Sequence, residues 1–331
     1  MLAEDVAQES GGSFDVAVIG AGVAGMYATY CCSLMGINCV IIDELRVPGG
    51  QCVAIYPEKK LYGVPGYDDV KATDYIDKLS QQCLRKDTIE LFGHKVTSLN
   101  AKAHGAFEIC ISDCESEIQN IRARYLIIAT GIGEMRPNIP NNIRGINEMM
   151  NNSDFVQSYC LNHSLYRDKN VIIAGGGDSA VDFAIDIAQI TKSVTVVHRR
   201  ANFTCESHKI AKLQKLVETG KIKLKMQQNI RELKEFDGKR YVCTDENEYV
   251  ADHIVFCYGF VASPSSIARD LGIEMEKNLI KVNIENMETS VKNCYAVGDA
   301  VTYINKKKNI VPCFFEADRV VRAIKDKISG G

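Results

Sequence analysis

Two hydrophobic periods alternate along the chain, and they do so twice in the same order. The run "FDVAVIG", residues 14–20, is almost continuously apolar, as a parallel strand buried on both faces requires. A helical pattern follows to about Met35, Gly36 and Asn38 stop it, and "CVIID" predicts a strand ending on Asp43. Much later "NVIIA" predicts a strand, the residues from Asp178 onward a helix, and "SVTVVHRR" another strand. Three further apolar runs close in small residues: "YLIIATGIG" at Tyr125–Gly133, "DHIVFCYGFVASP" at Asp252–Pro264 and "NCYAVGDAV" at Asn293–Val301. Strands alternating with helices predict an α/β fold with parallel sheets.

Composition narrows the setting. The chain has 331 residues and 46% hydrophobic content, enough for two packed cores. A formal charge of -3 gives no general argument for nucleic acid or an anionic membrane. No apolar run approaches the roughly 20 residues a membrane span needs. The first dozen residues, "MLAEDVAQESGG", lack a basic stretch and an apolar stretch, so they are expected to form a flexible tail and not a signal peptide. Thirteen scattered cysteines then suggest reduced thiols in a cytoplasmic protein, most of them packed as small apolar groups.

Between the first strand and helix stands "GAGVAG", with Gly20, Gly22 and Gly25 in G-x-G-x-x-G spacing. The glycines serve a tight turn, backbone approach to a pyrophosphate, and close helix–strand packing. Val23 and Ala24 open the helix, whose free N–H groups would meet the phosphates. Asp43 can accept hydrogen bonds from a ribose diol. The second copy reads "GGGDSA", with Gly175, Gly177 and Ala180 as G-x-G-x-x-A. Counted from the first glycine, His198 falls at the offset of Asp43, and Arg199 and Arg200 follow it. Guanidinium groups fork onto phosphate oxygens, whereas a carboxylate would repel a 2'-phosphate.

Alone, each feature also fits a plain glycine turn or a solvated basic strand end. Their order favours two nucleotides. The first site is expected to take a dinucleotide with a free ribose. The second is expected to take NADP(H), its pyrophosphate on Gly176, Gly177, Asp178 and Ser179 and its 2'-phosphate on Arg199 and Arg200, with Gly175 and His198 completing the NADP site. Asp299, after Gly298, stands where a carboxylate can hold the ribityl chain of FAD. Two such sites suggest an electron relay, with FAD resident and NADPH visiting; no metal is called for.

In this order the motifs resemble the two-domain flavoprotein disulfide reductase superfamily, and within it the thioredoxin reductase-like branch, from about Phe14 to Ile324. The resemblance implies two Rossmann-like, three-layer domains with the NADP domain inserted into the FAD domain. The FAD domain would then comprise 13–133 and 285–331, the NADP(H) domain 134–284, and 1–12 the tail. Hinges are implied near "EMRPNIPNN" and "VNIENMETS".

Cysteine spacing selects among the members. The stretch before the second glycine motif offers only Cys160, and Cys52 after Gly49-Gly50 has no second cysteine before Pro57. Cys110 and Cys114 are four apart, and Cys31-Cys32 is a vicinal pair. None has the Cys-x-x-Cys spacing that supports dithiol exchange. "GGQCVAIYPEKKLYGVPGY", "GGGDSAVDFA", "HRR" and "METSVKNCYAVGDA" instead resemble the thioredoxin reductase-like ferredoxin-NADP(+) reductases. That resemblance implies hydride exchange between NADPH and FAD and single-electron exchange between FAD and ferredoxin. No acid–base residue stands at its centre.

It further implies that Gln51 contacts the flavin, that Tyr56 stacks on one flavin face, and that Val96 and Met135 carry backbone or apolar contacts to FAD. Met135 departs from an aromatic residue. The chain also ends at "AIKDKISGG" without a segment over the other flavin face, and "IVPCFFEAD" replaces a stretch richer in Thr and Gly. A reductase of quinones or small disulfides and a flavin-based redox sensor therefore stay open as alternatives. The Lys59-Lys60 and Lys306–Lys308 clusters are expected to meet an acidic ferredoxin or to form a solvated face. The resemblance also implies a homodimer.

Overall fold

The computed structural model describes residues 12–330 except Tyr56, Lys86, 103–104, 113–118, Ser153, 159–161 and 264–265. The chain divides into two compact units, one of residues 1–134 with 262–331 and one of residues 135–261. In the first unit β1 (Ser13–Ile19), α1 (Val23–Leu34) and β2 (Cys39–Asp43) follow the predicted order. A short α2 (Gln51–Ala54) and the helix α3 (Ala72–Cys83) come next, then β3 (Ile89–Phe92), β4 (Lys95–Ala101), β5 (Phe107–Ser112) and β6 (Gln119–Ile128).

The second unit holds β7 (Asn170–Ala174), α4 (Asp178–Ile187), β8 (Ser193–His198), α5 (Ser207–Glu218) and β9 (Ile222–Met226). A meander of β10 (Ile230–Phe236), β11 (Lys239–Thr244) and β12 (Glu248–Val250) precedes β13 (His253–Phe256). The chain then returns to the first unit with α6 (Ser266–Asp270), β14 (Leu279–Lys281), β15 (Cys294–Ala296) and α7 (Ile310–Ser329).

In the first unit the sheet runs β3-β2-β1-β6-β5-β4, and β15 joins β6 as well. On its edge away from β1, β6 has two partners in succession. Its first half pairs antiparallel with β5, Ile109 opposite Ile121. Its second half pairs parallel with β15, Leu126 opposite Cys294. Val16, Val18, Ile41, Ile42 and Ile127 are fully buried, the mark of a parallel sheet covered on both faces.

Residues 262–284, assigned from the sequence to the NADP domain, pack in the first unit. Ile267, Ala268, Ile273 and Ile280 are buried in its core, which pulls this segment to the earlier side of the boundary. In the second unit a five-stranded parallel sheet runs from Val156–Gln157 through β13, β7 and β8 to β9. Among the described residues no helix is long and apolar enough to cross a membrane.

Candidate functional site

The two glycine turns are built alike. Gly20 N–H donates to the Ile42 carbonyl at 2.7 Å and Gly175 N–H to the Val197 carbonyl at 3.0 Å, tying each turn to the strand beside it. The next parallel strand end closes in the same way, with Ala129 N–H on Ile19 and Cys257 N–H on Ala174. Both first glycines have positive φ, +107° and +149°. A Cβ on Gly20 would lie 2.4 Å from the Ala129 carbonyl oxygen, and one on Gly25 would lie 1.8 Å from that of Gly20. A Cβ on Gly22, by contrast, would meet nothing within 4 Å. The middle glycine borders open space at the N-terminus of α1, which has no side-chain cap and no acid in its first turn. Val23 and Ala24 are buried there. An opening of this construction can accept an anion.

Side chains gather around that opening. Asp43 accepts from the Ala21 N–H at 2.5 Å through Oδ2 and from the Leu45 N–H at 2.8 Å through Oδ1. Burial pushes its carboxyl up, against those two bonds. Gly49 N–H donates to the Ala21 carbonyl at 2.8 Å, so the Gly-Gly turn folds onto the first glycine turn. A Cβ on Gly131 would lie 3.2 Å from Gln51 Nε2, which brings Gln51 to the Ala-Thr-Gly turn. Thr130 Oγ1 in that turn and His94 Nε2 are buried without a hydrogen-bond partner. Val96 lies half-buried in β4, opposite Ile111. Tyr56, and the side chain of Met135, lie outside the described residues.

Asp299 follows Gly298, whose Cβ would lie 3.0 Å from Ala24 Cβ, so this turn sits against the first turn of α1. Burial raises the Asp299 carboxyl, and Lys306 and Lys308 oppose the rise. Behind it stands a group the sequence reading missed. Glu316, fully buried, accepts from the Gly298 N–H at 2.7 Å, from Tyr303 Oη at 2.7 Å, and from Lys306 Nζ. The Lys306 side chain is 5% exposed. Lys306 is thus not part of a solvated lysine face; Lys307 and Lys308 are exposed.

At the second turn His198 points inward, unlike the two arginines that follow it. It is 8% exposed, and a Cβ on Gly176 would fall 2.4 Å from its ring. The ring stacks on Phe203 at 5.7 Å, and Nε2 faces the Asn202 carbonyl at 3.2 Å. Burial lowers its pKa, the Asn202 contact opposes this, and Arg200 and Arg199 add to the lowering. The unfolded chain therefore binds a proton more readily, so stability from this residue is present above about pH 6.5 and is lost as pH falls below it. Denaturant midpoints between about pH 7.5 and 5 should fall more steeply in the wild type than in His198→Asn.

Arg199 and Arg200 are exposed and have no carboxylate partner among the described residues. Ser179 is exposed, Asp178 is half-buried, and Gly175 and Gly176 are buried. Thr204 N–H donates to the Gly176 carbonyl at 2.8 Å, folding the loop after Arg200 back onto the turn.

The eleven cysteines among the described residues are free thiols, and Cys31, Cys32, Cys39, Cys83, Cys243, Cys294 and Cys313 are buried. Burial pushes Cys313 up to about 12 and raises Cys52, so neither is primed as a nucleophile. Cys114 and Cys160 lie outside the described residues.

The profile of the pyridine nucleotide-disulphide oxidoreductase family matches residues 14–320. The "Ferredoxin--NADP reductase 1" of Christiangramia forsetii is 33% identical over 323 residues, covering 95% of this chain and 89% of its own. The "Ferredoxin--NADP reductase" of Paramagnetospirillum magneticum is 34% identical over 324 residues, covering 96% and 94%. Among solved structures, the thioredoxin reductase of T. acidophilum superposes with a TM-score of 0.78 at 20% identity, over 96% of this chain and 99% of that one. The thioredoxin reductase of Lactococcus lactis gives 0.77 at 20% identity, over 96% and 100%. These structures share the fold.

Proposed function

Since the chain belongs to the pyridine nucleotide-disulphide oxidoreductase family, we propose that it is an FAD-dependent ferredoxin-NADP(+) reductase. The relatives that bear this name span nearly the whole chain at about a third identity. The observation that carries the reading is the contrast between the two strand ends, one acidic and one basic, beside turns of the same construction.

The residues fit both cofactors. Gly20, Gly22 and Gly25 with Val23 and Ala24 would seat the FAD pyrophosphate, Asp43 its ribose, and Gln51 and Asp299 the flavin side; Tyr56, Val96 and Met135 complete the proposed set. Thr130 Oγ1 and the open face of Gly22 offer places for cofactor oxygens. When bound, FAD supplies the exchange between a two-electron hydride donor and a one-electron acceptor. The protein supplies position, charge and exclusion of water. Gly175, Gly176, Gly177, Asp178 and Ser179 would take the NADP(H) pyrophosphate, and Arg199 and Arg200 the 2'-phosphate. His198 would act from beneath, as an uncharged ring that shapes the Gly176 floor.

The thiol chemistry supports an electron carrier over a dithiol acceptor, because the described cysteines near the Asp299 turn are buried or held above their ordinary pKa. The protein is further proposed to be a cytoplasmic homodimer, a state that light scattering on the eluting protein measures.

The test is NADPH-driven cytochrome c reduction with and without added ferredoxin under low oxygen. A ferredoxin-dependent rate is expected; flavin bleaching by NADPH with no effect of ferredoxin would assign another acceptor. In the double variant Arg199→Ala/Arg200→Ala, KM for NADPH is expected to rise on the order of a hundredfold, two phosphate forks being lost, with NADH little changed. An unaltered NADPH preference in steady-state kinetics would remove the 2'-phosphate from this strand end.

A further inference from the structure

An anion-binding helix end should not carry an acid, yet α4 begins with Asp178 and has a second carboxylate one turn on, Asp182. With no ligand present, an acid in the first turn suits the helix dipole. An incoming pyrophosphate would meet that same negative charge at close range, which opposes binding.

The conflict is met from α5. Lys209 Nζ lies 2.9 Å from Asp178 Oδ1 and 2.9 Å from Asp182 Oδ2, with Glu206 at 3.7 Å. The lysine side chain is 10% exposed. Burial alone would lower its pKa, but the hydrogen bonds to Asp178 and Asp182 outweigh burial and raise it, so the ammonium stays charged. It is held by charged partners and cannot drift into solvent as a surface lysine does.

We propose that Lys209 is a positioning residue for the nucleotide pyrophosphate, its one positive charge offsetting part of the negative charge of Asp178 and Asp182 so that the N-terminus of α4 can accept phosphate oxygens. The proposal rests on the reading of the second glycine turn as a nucleotide site. It deepens that reading by separating two charge functions. Arg199 and Arg200 would act on the 2'-phosphate, which only NADP(H) carries. Lys209 would act on the pyrophosphate, which NADPH and NADH share.

The test is the dissociation constant of each coenzyme for Lys209→Met, Lys209→Arg and Lys209→Met/Asp178→Asn, measured by calorimetry on FAD-loaded protein alongside the thermal midpoint. Lys209→Met is expected to weaken NADPH and NADH by the same factor, about tenfold, from the loss of one positive charge near the phosphates. Lys209→Arg should bind as the wild type does, and adding Asp178→Asn should recover most of the loss. Unchanged affinity for both coenzymes overturns the proposal, even if the thermal midpoint drops, because Lys209 would then be a structural tie only. So does a loss confined to NADPH, or a loss that Asp178→Asn does not relieve.

Should Lys209→Met not fold, Asp178→Asn alone decides: both coenzymes are expected to bind several-fold tighter, and unchanged or weaker binding overturns the assignment. Wild-type protein that binds neither coenzyme would bring down the nucleotide reading itself, and the role of Lys209 with it.

Discussion

Replacing Gly25 by alanine is expected to destabilise the first unit by about 3 kcal/mol or more, and to yield protein without flavin. The added Cβ would sit 1.8 Å from the Gly20 carbonyl oxygen and 3.0 Å from its carbonyl carbon. Both are backbone atoms of the turn that carries the cradle, so no rotamer change relieves the clash. Relief requires α1 to move away from β1 and undo the turn. Gly22→Ala should behave in the opposite way. Its Cβ would meet nothing within 4 Å, so the unfolding free energy of the apo-protein should stay within about 1 kcal/mol of wild type. The methyl group would instead stand in the space proposed for the pyrophosphate, and flavin content should fall sharply. Flavin absorbance per protein, read beside the urea midpoint of the apo-protein, separates the two. Equal flavin loss with equal destabilisation in both variants would place the phosphates elsewhere.

Glu316→Ala is expected to cost about 3–5 kcal/mol, the usual consequence of removing one partner from a buried ion pair. Lys306 would lose its carboxylate partner in a site that exposes 5% of its side chain, and the Gly298 N–H and Tyr303 hydroxyl would lose their acceptor together. The urea midpoint should drop with little change in slope, since the surface exposed on unfolding is the same. Glu316→Gln/Lys306→Met should recover much of the loss, because no buried charge is then left unpaired. A loss below about 1 kcal/mol for Glu316→Ala would mean that Lys306 swings out to water on a flexible stem.

What the sequence made legible was local. The strand, glycine turn, helix and charged strand end of each copy are contiguous, and period and turn chemistry specify them within some thirty residues. The contrast between Asp43 and Arg199-Arg200 was legible for the same reason. The direction of His198 was not: β8 is buried continuously from Val196 through His198, and the contacts with Phe203, Gly176 and the Asn202 carbonyl hold the imidazole inward.

The two charge clusters were hidden by distance along the chain. Lys209 lies 31 residues from Asp178, and in a helix rich in lysine nothing marks it as the one that is buried. One signal was nonetheless available, since an acid at the start of a helix proposed to receive phosphate calls for a counter-cation. Glu316 and Lys306 are ten residues apart, but a loop and a helix start separate them, and no periodic pattern links those. The return of the chain at Ala262 was missed because α6 and β14 are short and carry few apolar residues of their own.

The double partnership of β6 bears on the order in which the protein can be completed during synthesis. All five strands of the second unit's parallel sheet lie in one continuous stretch that ends before residue 262, so that sheet can close as soon as β13 has emerged. β6 is made earlier yet waits longer. Half of its edge stays unpaired until Cys294–Ala296 arrive, and α1 lacks α7, whose Phe314 packs edge-on against Tyr27 at 4.8 Å. The cradle made first by the ribosome is therefore among the last parts to become solid, and an unpaired strand edge is the exposure a nascent chain must survive meanwhile.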